Sequence, residues 1–547
     1  LTESEYEVNF NSARTGIRLN GPIPQWVRED GGEAGLHPSN IHDNAYAVGT
    51  LDLTGDQSIL LGPDGPSLGG FVCSVTTAKG EMWKLGQLHP GDKVHFRLLD
   101  LDQAKEIREA EEANLRHEYK EVVLPEQKDL DYHYAILAEE TAAGTKIVAR
   151  LDGEDNILVE YGEMELDIAI RFRVHVLMQE LKKKDLPVID LTPGIRSLQI
   201  HFDIGKISLK EMLAAVLETN RTLPELSDVT VPSRIIWLPL SWDDPQTQLA
   251  AKRYQQTVRP NAPWCPSNPE FIRRINGLDS IEDVKKIVFD ADYLVLGLGD
   301  VYLGAPVATP VDPRHRMVTT KYNPARPWTP ENAVGIGGAY LCVYGMEGPG
   351  GYQFVGRTIQ MWNPLKETEY FKHGKPWLLD FFDQIRFYPV SAEEILKDRE
   401  DFLRGRFKIK IEETSFNLGK YEQFLKEHED TIRAFKDHQE ASFEAERKMW
   451  KEKGLDEFDS ETQDAPAIVE ETVPDGCEAA RTNIPGSVWK VLVEDGQKVR
   501  EGDTLVILES MKMEFPVTAE YSGIIEKVYL KPGEQVNSGQ LAASIRV

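Results

Sequence analysis

Glu509-Ser510-Met511-Lys512-Met513-Glu514 decides how the C-terminal part of the chain folds: a lysine held between two methionines. Upstream runs Val491-Leu492-Val493, followed by Gly496, Val499 and Gly502; downstream runs Val528-Tyr529-Leu530, followed by Gly533, Val536 and Gly539. Both copies space their glycines and valine identically. Strand, glycine-bearing turn and strand are repeated, which predicts two pseudo-symmetric halves of a small sandwich. Lys512 falls between the halves, where a hairpin would present it to solvent. A slip of one residue would invert inside and outside along such strands, so the hairpin should be well fixed. A surface lysine on an ordinary hairpin is the plain alternative. The Met-Lys-Met tip, Pro485-Gly486 before the first strand and the duplicated halves argue against it.

At 547 residues the chain has room for three or four domains. Its net charge of −28 leaves no basic field for nucleic acid or an anionic membrane. No apolar run is long enough to span a bilayer. Cys73, Cys265, Cys342 and Cys477 lie far apart without metal-ligand spacing and read as reduced thiols of a cytoplasmic protein. The chain begins at Leu1 with neither an initiator methionine nor a signal peptide, and is read as a piece of something longer.

Residues 1 to about 120 alternate β-rich runs with Gly, Pro and Asp turns, closed by a charged helical stretch, Asp102 to Tyr119. A new segment opens at Tyr132 with strands and two amphipathic helices and runs to about Pro364. A basic and aromatic stretch follows, including Trp377-Leu378-Leu379-Asp380-Phe381-Phe382. Between Asn417 and Lys453 the apolar residues Tyr421, Phe424, Leu425, Ile432, Phe435, Phe443 and Trp450 recur at helical spacing, predicting one amphipathic helix on the order of 55 Å long. Residues 454–476 are acidic and poor in apolar side chains, the composition of a flexible linker.

Two segments ahead of that linker concentrate polar chemistry. The first is His37-Pro38-Ser39-Asn40-Ile41-His42-Asp43-Asn44-Ala45-Tyr46, followed by the glycine-rich Gly62-Pro63-Asp64-Gly65-Pro66-Ser67-Leu68-Gly69-Gly70, where backbone can approach a ligand closely. A turn stitched by Asn and Asp side chains is the structural alternative. The second runs from Gly299-Asp300-Val301-Tyr302 through Lys321-Tyr322-Asn323-Pro324-Ala325-Arg326 to Arg357, with eight glycines between 335 and 356. A phosphate-cradling loop is excluded because no Gly-Lys-Ser/Thr ending is present. Close strand packing accounts for most of those glycines. It does not account for Lys321, Arg326 and Arg357 beside Asp300, Tyr302 and Gln353.

The Lys512 hexapeptide resembles the attachment site of biotin carrier domains, with Met511 and Met513 flanking the biotinyl-lysine. Lipoyl domains share the architecture, and the two methionines favour biotin. Residues 10–100 resemble the later half of one subunit of the bacterial Kip-type, 5-oxoprolinase-associated pair. Residues 130–364 resemble the other subunit, including Thr192-Pro193-Gly194-Ile195-Arg196-Ser197-Leu198 and Gly351-Tyr352-Gln353-Phe354-Val355-Gly356-Arg357. Their fusion, continued by Phe381-Phe382-Asp383-Gln384-Ile385-Arg386-Phe387-Tyr388-Pro389-Val390 and a carrier, resembles the carboxyltransferase and carrier part of the urea carboxylase family. The resemblance implies a mainly β (α+β) chain with two cyclophilin-like β-barrel lobes, a long helix and a flattened β-sandwich biotinyl domain. The expected division is a first Kip-type lobe over 1–125, truncated at its start; a second over 126–368; a connecting segment over 369–416; the helix over 417–453; the linker over 454–476; and the biotinyl domain over 477–547.

The resemblance also implies transfer of a carboxyl group from N1-carboxybiotin to a nitrogen of urea, giving allophanate. Biotin protein ligase would load Lys512. ATP and Mg2+ would be used only by a biotin carboxylase that this chain lacks, and allophanate hydrolase is a further expected partner. Urea donates from two NH2 groups and accepts at one carbonyl. Asp300 with Asn40 or Asp43 are the candidates for the NH2 groups, Lys321 or Arg357 for a carbonyl or ureido oxygen, and Tyr302 for relaying a proton. His37, Asn44, Asn323 and Gln353 are expected around the substrate; no metal is expected. Carboxylation of guanidine or another small amide, and a non-catalytic Kip-type regulatory module, are the alternatives.

Overall fold

The computed structural model describes the chain except residues 10–11, 36, 122, 124, 143, 300–303, 364, 366, 372–373, 456–472 and 511–512. The first unit is one seven-stranded antiparallel sheet. Its strands stand in the spatial order Asn40–Ala45, Leu68–Thr76, Thr50–Thr54, Gln57–Leu61, Gly16–Asn20, Glu5–Val8 and Lys93–His95. Thr54 pairs with Gln57, so Gly55-Asp56 makes the turn, and Gly55 supplies the positive φ of 66° that a two-residue hairpin needs. Alternation puts Tyr6, Val8, Leu19, Leu51, Leu53 and Leu60 into one cluster. The helix Leu101–Leu115 follows, started by a capping box from Asp100 and Gln103.

The second unit contains two large sheets and a two-stranded ribbon, Arg326–Thr329 with Gly348–Gly350. Ile136–Ala142, Thr145–Leu151, Asn156–Tyr161, Ser197–Phe202 and Val188–Pro193 form a five-stranded sheet, packed on by the helices Ile168–Lys182 and Leu209–Arg221. The other sheet closes on itself. Gln353–Arg357, Ala333–Gly337, Tyr340–Val343, Pro306–Pro310, Tyr293–Leu298, Gln384–Val390 and Thr230–Trp242 form a ring, sealed by the pairing Ser241↔Arg357. Val295, Ala308, Val334, Ile336, Leu341, Val343 and Val355 share one buried cluster with Ile236, Leu238 and Leu240. Closure removes the edges of the ring itself.

That ring corrects the expected connecting segment 369–416. Gln384–Val390 runs parallel to Thr230–Trp242 along seven rungs and is needed to close the barrel; Lys410–Asn417 pairs antiparallel along the same long strand. Ile385 and Phe387 are buried because they face the barrel core. The single helix over 417–453 is corrected too. It is two helices, Leu418–Glu427 and Glu429–Lys453, broken at His428 (φ −112°, ψ 12°). The second straps both units together. Trp450 stacks on Phe271 and tilts against Trp264, Gln439 donates to Asn276 and to the Arg316 carbonyl, and Arg447 pairs with Glu29 and Asp30 of the first unit.

The C-terminal domain is a sandwich of two four-stranded sheets around Val488, Leu505, Leu508, Ile525 and Ile545. Gly496, Gly502, Gly533 and Gly539 all take φ between 84° and 88°, with nothing near the space a Cβ would fill. The repeat read from the sequence is therefore a repeat of left-handed turns. The strands Thr504–Ser510 and Met513–Thr518 pair up to the rung Ser510↔Met513, and Met511 and Lys512 lie outside the described residues. Among the described residues no helix is long and apolar enough to cross a membrane.

Candidate functional site

The His37–Tyr46 segment lies at the junction of the two units. Arg28 ties its start down, donating from Nε to the Pro38 carbonyl (2.8 Å) and from Nη2 to the Asn40 carbonyl (2.6 Å). His37 is a brace rather than a free imidazole: Nδ1 meets Ser39 Oγ at 2.8 Å and Nε2 faces Asp56 at 3.3 Å. That contact with His37 holds the Asp56 carboxyl below its usual range. Asn40 donates to the His37 carbonyl at 3.0 Å, while its Oδ1 is buried without a hydrogen-bond partner among the described residues.

Beyond Asn40 the strand is gripped by the second unit. Ile195 N–H donates to the Asp43 carbonyl at 2.8 Å, and Ser197 Oγ donates to Asn44 Oδ1. The Thr192–Leu198 stretch is thus a brace between units, and Asn44 is fixed by it.

Lys321 crosses the junction in the opposite direction. It is 7% exposed; its Nζ donates to the Gly70 carbonyl at 3.1 Å and stands 4.5 Å from the Phe71 ring centroid. A Cβ at Gly70 would collide with both Lys321 Nζ and Asp43 Oδ1, so the ammonium and the carboxylate both border this glycine. Gly70 is required here because only a bare backbone leaves them room. Gln353, fully buried, donates to the Thr320 carbonyl at 2.9 Å and so fixes the backbone beside Lys321. Asn323 turns its Oδ1 toward the Gly55 turn of the first unit, and its carbonyl accepts from Arg259.

Three groups that the sequence reading passed over complete the cluster. His42 is 2% exposed and meets Tyr340 Oη at 2.5 Å; burial pulls its imidazole down to about 4, helped by the nearby Arg196 and Lys321 cations, so it is neutral near pH 7. Burial raises the Tyr340 phenol well above its ordinary value. Asp52 is 4% exposed and burial raises its carboxyl to about 7, against the pull of the Thr54 hydroxyl and of Lys321.

Not all candidates converge. Arg357 stands apart from the cluster. Its Nε donates to the Glu331 carbonyl at 2.8 Å on the rung that seals the barrel, and it lies about 20 Å along the chain from Gly351, which backs onto Lys321. Arg326 is structural: its guanidinium is stacked 4.1 Å from the Tyr322 ring and 3.9 Å from that of Phe354, and it donates to the Tyr352 carbonyl. Asp300 and Tyr302 lie outside the described residues. Their neighbour Gly299 has φ 116° and comes close to Ser67 of the first unit's glycine-rich loop. Among the described residues no group of His, Cys, Asp and Glu is arranged to hold a metal.

Residues 1–98 match the family described as carboxyltransferase domain, subdomain A and B; residues 147–371 match subdomain C and D; residues 472–545 match the biotin-requiring enzyme family. The urea amidolyase of Lachancea kluyveri is 39% identical over 99% of this chain, which spans 30% of that protein. The chain is homologous to the urea carboxylases. A putative urea carboxylase of Emericella nidulans is 32% identical, with 46% of its length covered. The crystal structure of the Kluyveromyces lactis urea carboxylase superposes over the whole of this chain with a TM-score of 0.87 at 38% identity, and the chain spans 48% of it. The two units joined by Lys321 are therefore the carboxyltransferase subdomain pairs, and the sandwich is the biotin-type carrier.

Proposed function

We propose that this chain is the transferase and carrier part of a urea carboxylase, moving a carboxyl group from biotin on Lys512 to a nitrogen of urea to give allophanate. The observation that carries the reading is the buried Lys321 ammonium of the C/D unit, set against Gly70 and Asp43 of the A/B unit. Such a site exists only when the two units are together. A biotin carboxylase using ATP and Mg2+ would recharge the carrier, a biotin protein ligase would load it, and allophanate hydrolase would consume the product.

The cradle suits the group. Gly70 leaves backbone open beside one fixed cation, Asn40 Oδ1 and the Asp43 carboxylate supply acceptors, and Asp43, His42 and Lys321 are each less than a tenth exposed. When bound, biotin supplies a carboxyl group carried on a ureido nitrogen. Lys321 Nζ holds a fixed, buried positive charge that would stabilise an oxygen of the ureido group, and burial strengthens this effect. Asp43 and Asn40 accept from the NH2 groups of urea and turn one nitrogen toward the carboxyl carbon. Bound biotin would release the carboxyl group and take up in exchange the proton that the urea nitrogen loses. Asp300 and Tyr302 are assigned to substrate binding and to this proton path. The buried walls keep water from intercepting the carboxyl group.

The test is urea-dependent product formation by the polypeptide completed with a biotin carboxylase. Asp300→Ala should abolish carboxyl transfer while Lys512 remains biotinylated; full retained transfer removes Asp300 from the mechanism. Guanidine offered in place of urea should be a poor acceptor, and equal turnover of both would displace urea as the substrate.

A further inference from the structure

The carrier touches the transferase at an aromatic contact that neither the fold nor the transfer chemistry requires. Arg253, on the helix Pro245–Thr257, is exposed, yet its guanidinium carbon stands 4.9 Å from the Trp328 ring centroid and 5.5 Å from that of Trp489. Trp328 belongs to the transferase, on the strand Arg326–Thr329; Trp489 belongs to the carrier, on the strand Gly486–Val491. We propose that this Trp328–Arg253–Trp489 clamp is the carrier's docking point and delivers the biotinyl hairpin to the Lys321 cradle. The proposal deepens the transferase reading and rests on it.

Three features of the carrier support the assignment. Trp489 is the residue of a β-bulge: Val488 pairs with Leu508 and Lys490 with Ile507, leaving Trp489 as the extra residue between them. Bulges of this kind re-aim a side chain. Its indole N–H is buried without a hydrogen-bond partner among the described residues, a cost that the carrier's own core does not require. Leu508, opposite the bulge, is two residues from Ser510, so the clamp lies about 7 Å along the sheet from the last described residue before Lys512.

The transferase end is equally close to the chemistry. Arg326, two residues before Trp328, pairs with Gly350, and the next residue, Gly351, backs onto the Lys321 side chain. A guanidinium between two indoles is also the right strength for the task. A carrier that must leave to be recharged needs a contact that biases its position without trapping it, and one such contact shifts a population by about 2- to 30-fold.

The experiment uses the biotinylated polypeptide completed with its biotin carboxylase, comparing wild type, Arg253→Ala, Trp489→Ala and the conservative Arg253→Lys. Three readouts are taken: ATP-dependent loading of carboxyl onto biotin, its urea-dependent discharge, and the radius of gyration by small-angle X-ray scattering. Both alanine variants should load at the wild-type rate and discharge about 2- to 30-fold more slowly at saturating urea, with KM for urea unchanged. Their radius of gyration should be larger, and Arg253→Lys should fall between. Unchanged discharge with unchanged scattering overturns the clamp. So does slower discharge without any change in scattering, because Arg253 would then act without holding the carrier. If the urea reading itself fails, wild type shows no urea-dependent discharge while the scattering arm still reports docking.

Discussion

Lys321 and Asp52 show how burial sets the chemistry of the transferase junction. Lys321 lies under the first unit's sheet, and its field pulls the Asp52 carboxyl down while burial pushes it up to about 7. The folded value lies above the ordinary 3.8, so the folded chain holds that proton more tightly than the unfolded one. This contribution to stability is full below about pH 4 and is lost as pH rises toward 7. Asp52→Asn removes the titration, so the urea unfolding midpoint of the variant should gain on wild type between pH 5 and pH 8. A pH-independent difference would contradict this origin of the shift. The sequence offered Lys321, Asp43 and Asn40 as candidates because short polar groups crowd a glycine-rich context, and the fold brings Lys321 and Asp43 to the same glycine. Asp52 was not: in Leu51-Asp52-Leu53 it looks like an outward residue of an alternating strand, and only tertiary packing buries it. Arg357 was grouped with the candidates by its closeness in sequence to Gln353, which says nothing about where the barrel seals.

Among the elements, the carrier was the most legible, because its glycine spacing encodes backbone conformation directly. Gly496→Ala or Gly533→Ala meets no steric neighbour, yet forces a left-handed residue to carry a Cβ. Each should lower the carrier's stability by about 1–3 kcal/mol in thermal unfolding, and an unchanged midpoint would remove the repeat's conformational explanation. The strap helix was legible as a helix but not as two. Apolar spacing continues across His428, so periodicity cannot register a break made by one residue's backbone. Trp450→Ala should cost about 3–5 kcal/mol, because Trp450 fills the space between Trp264 and Phe271. A loss below about 1 kcal/mol would mean the strap is not anchored there. The strand Gln384–Val390 escaped the sequence reading because its register depends on Thr230–Trp242, about 150 residues earlier, and nothing local announces such a pairing.

For the whole molecule, the two carboxyltransferase units meet in one polar cluster that neither supplies alone. Lys321 reaches from the second into the first, Thr192–Leu198 grips the strand that carries Asp43, and the Glu429–Lys453 helix ties both together through Arg447 and Trp450. The order of units was readable from sequence, and the resemblance implied a site between them; which residues meet there was not readable, because the contact joins positions some 250 apart. On the proposed attachment at Lys512, Lys512→Arg keeps the charge but offers no amine for amide formation, so such a polypeptide should take up no biotin and form no product. The most direct measurement of the account follows isotopic carboxyl loaded onto the carrier of the completed polypeptide and times its loss after urea is added. With Lys321→Met the label should load normally and stay on the carrier when urea arrives, whereas urea-dependent discharge at the wild-type rate would contradict the proposed cradle.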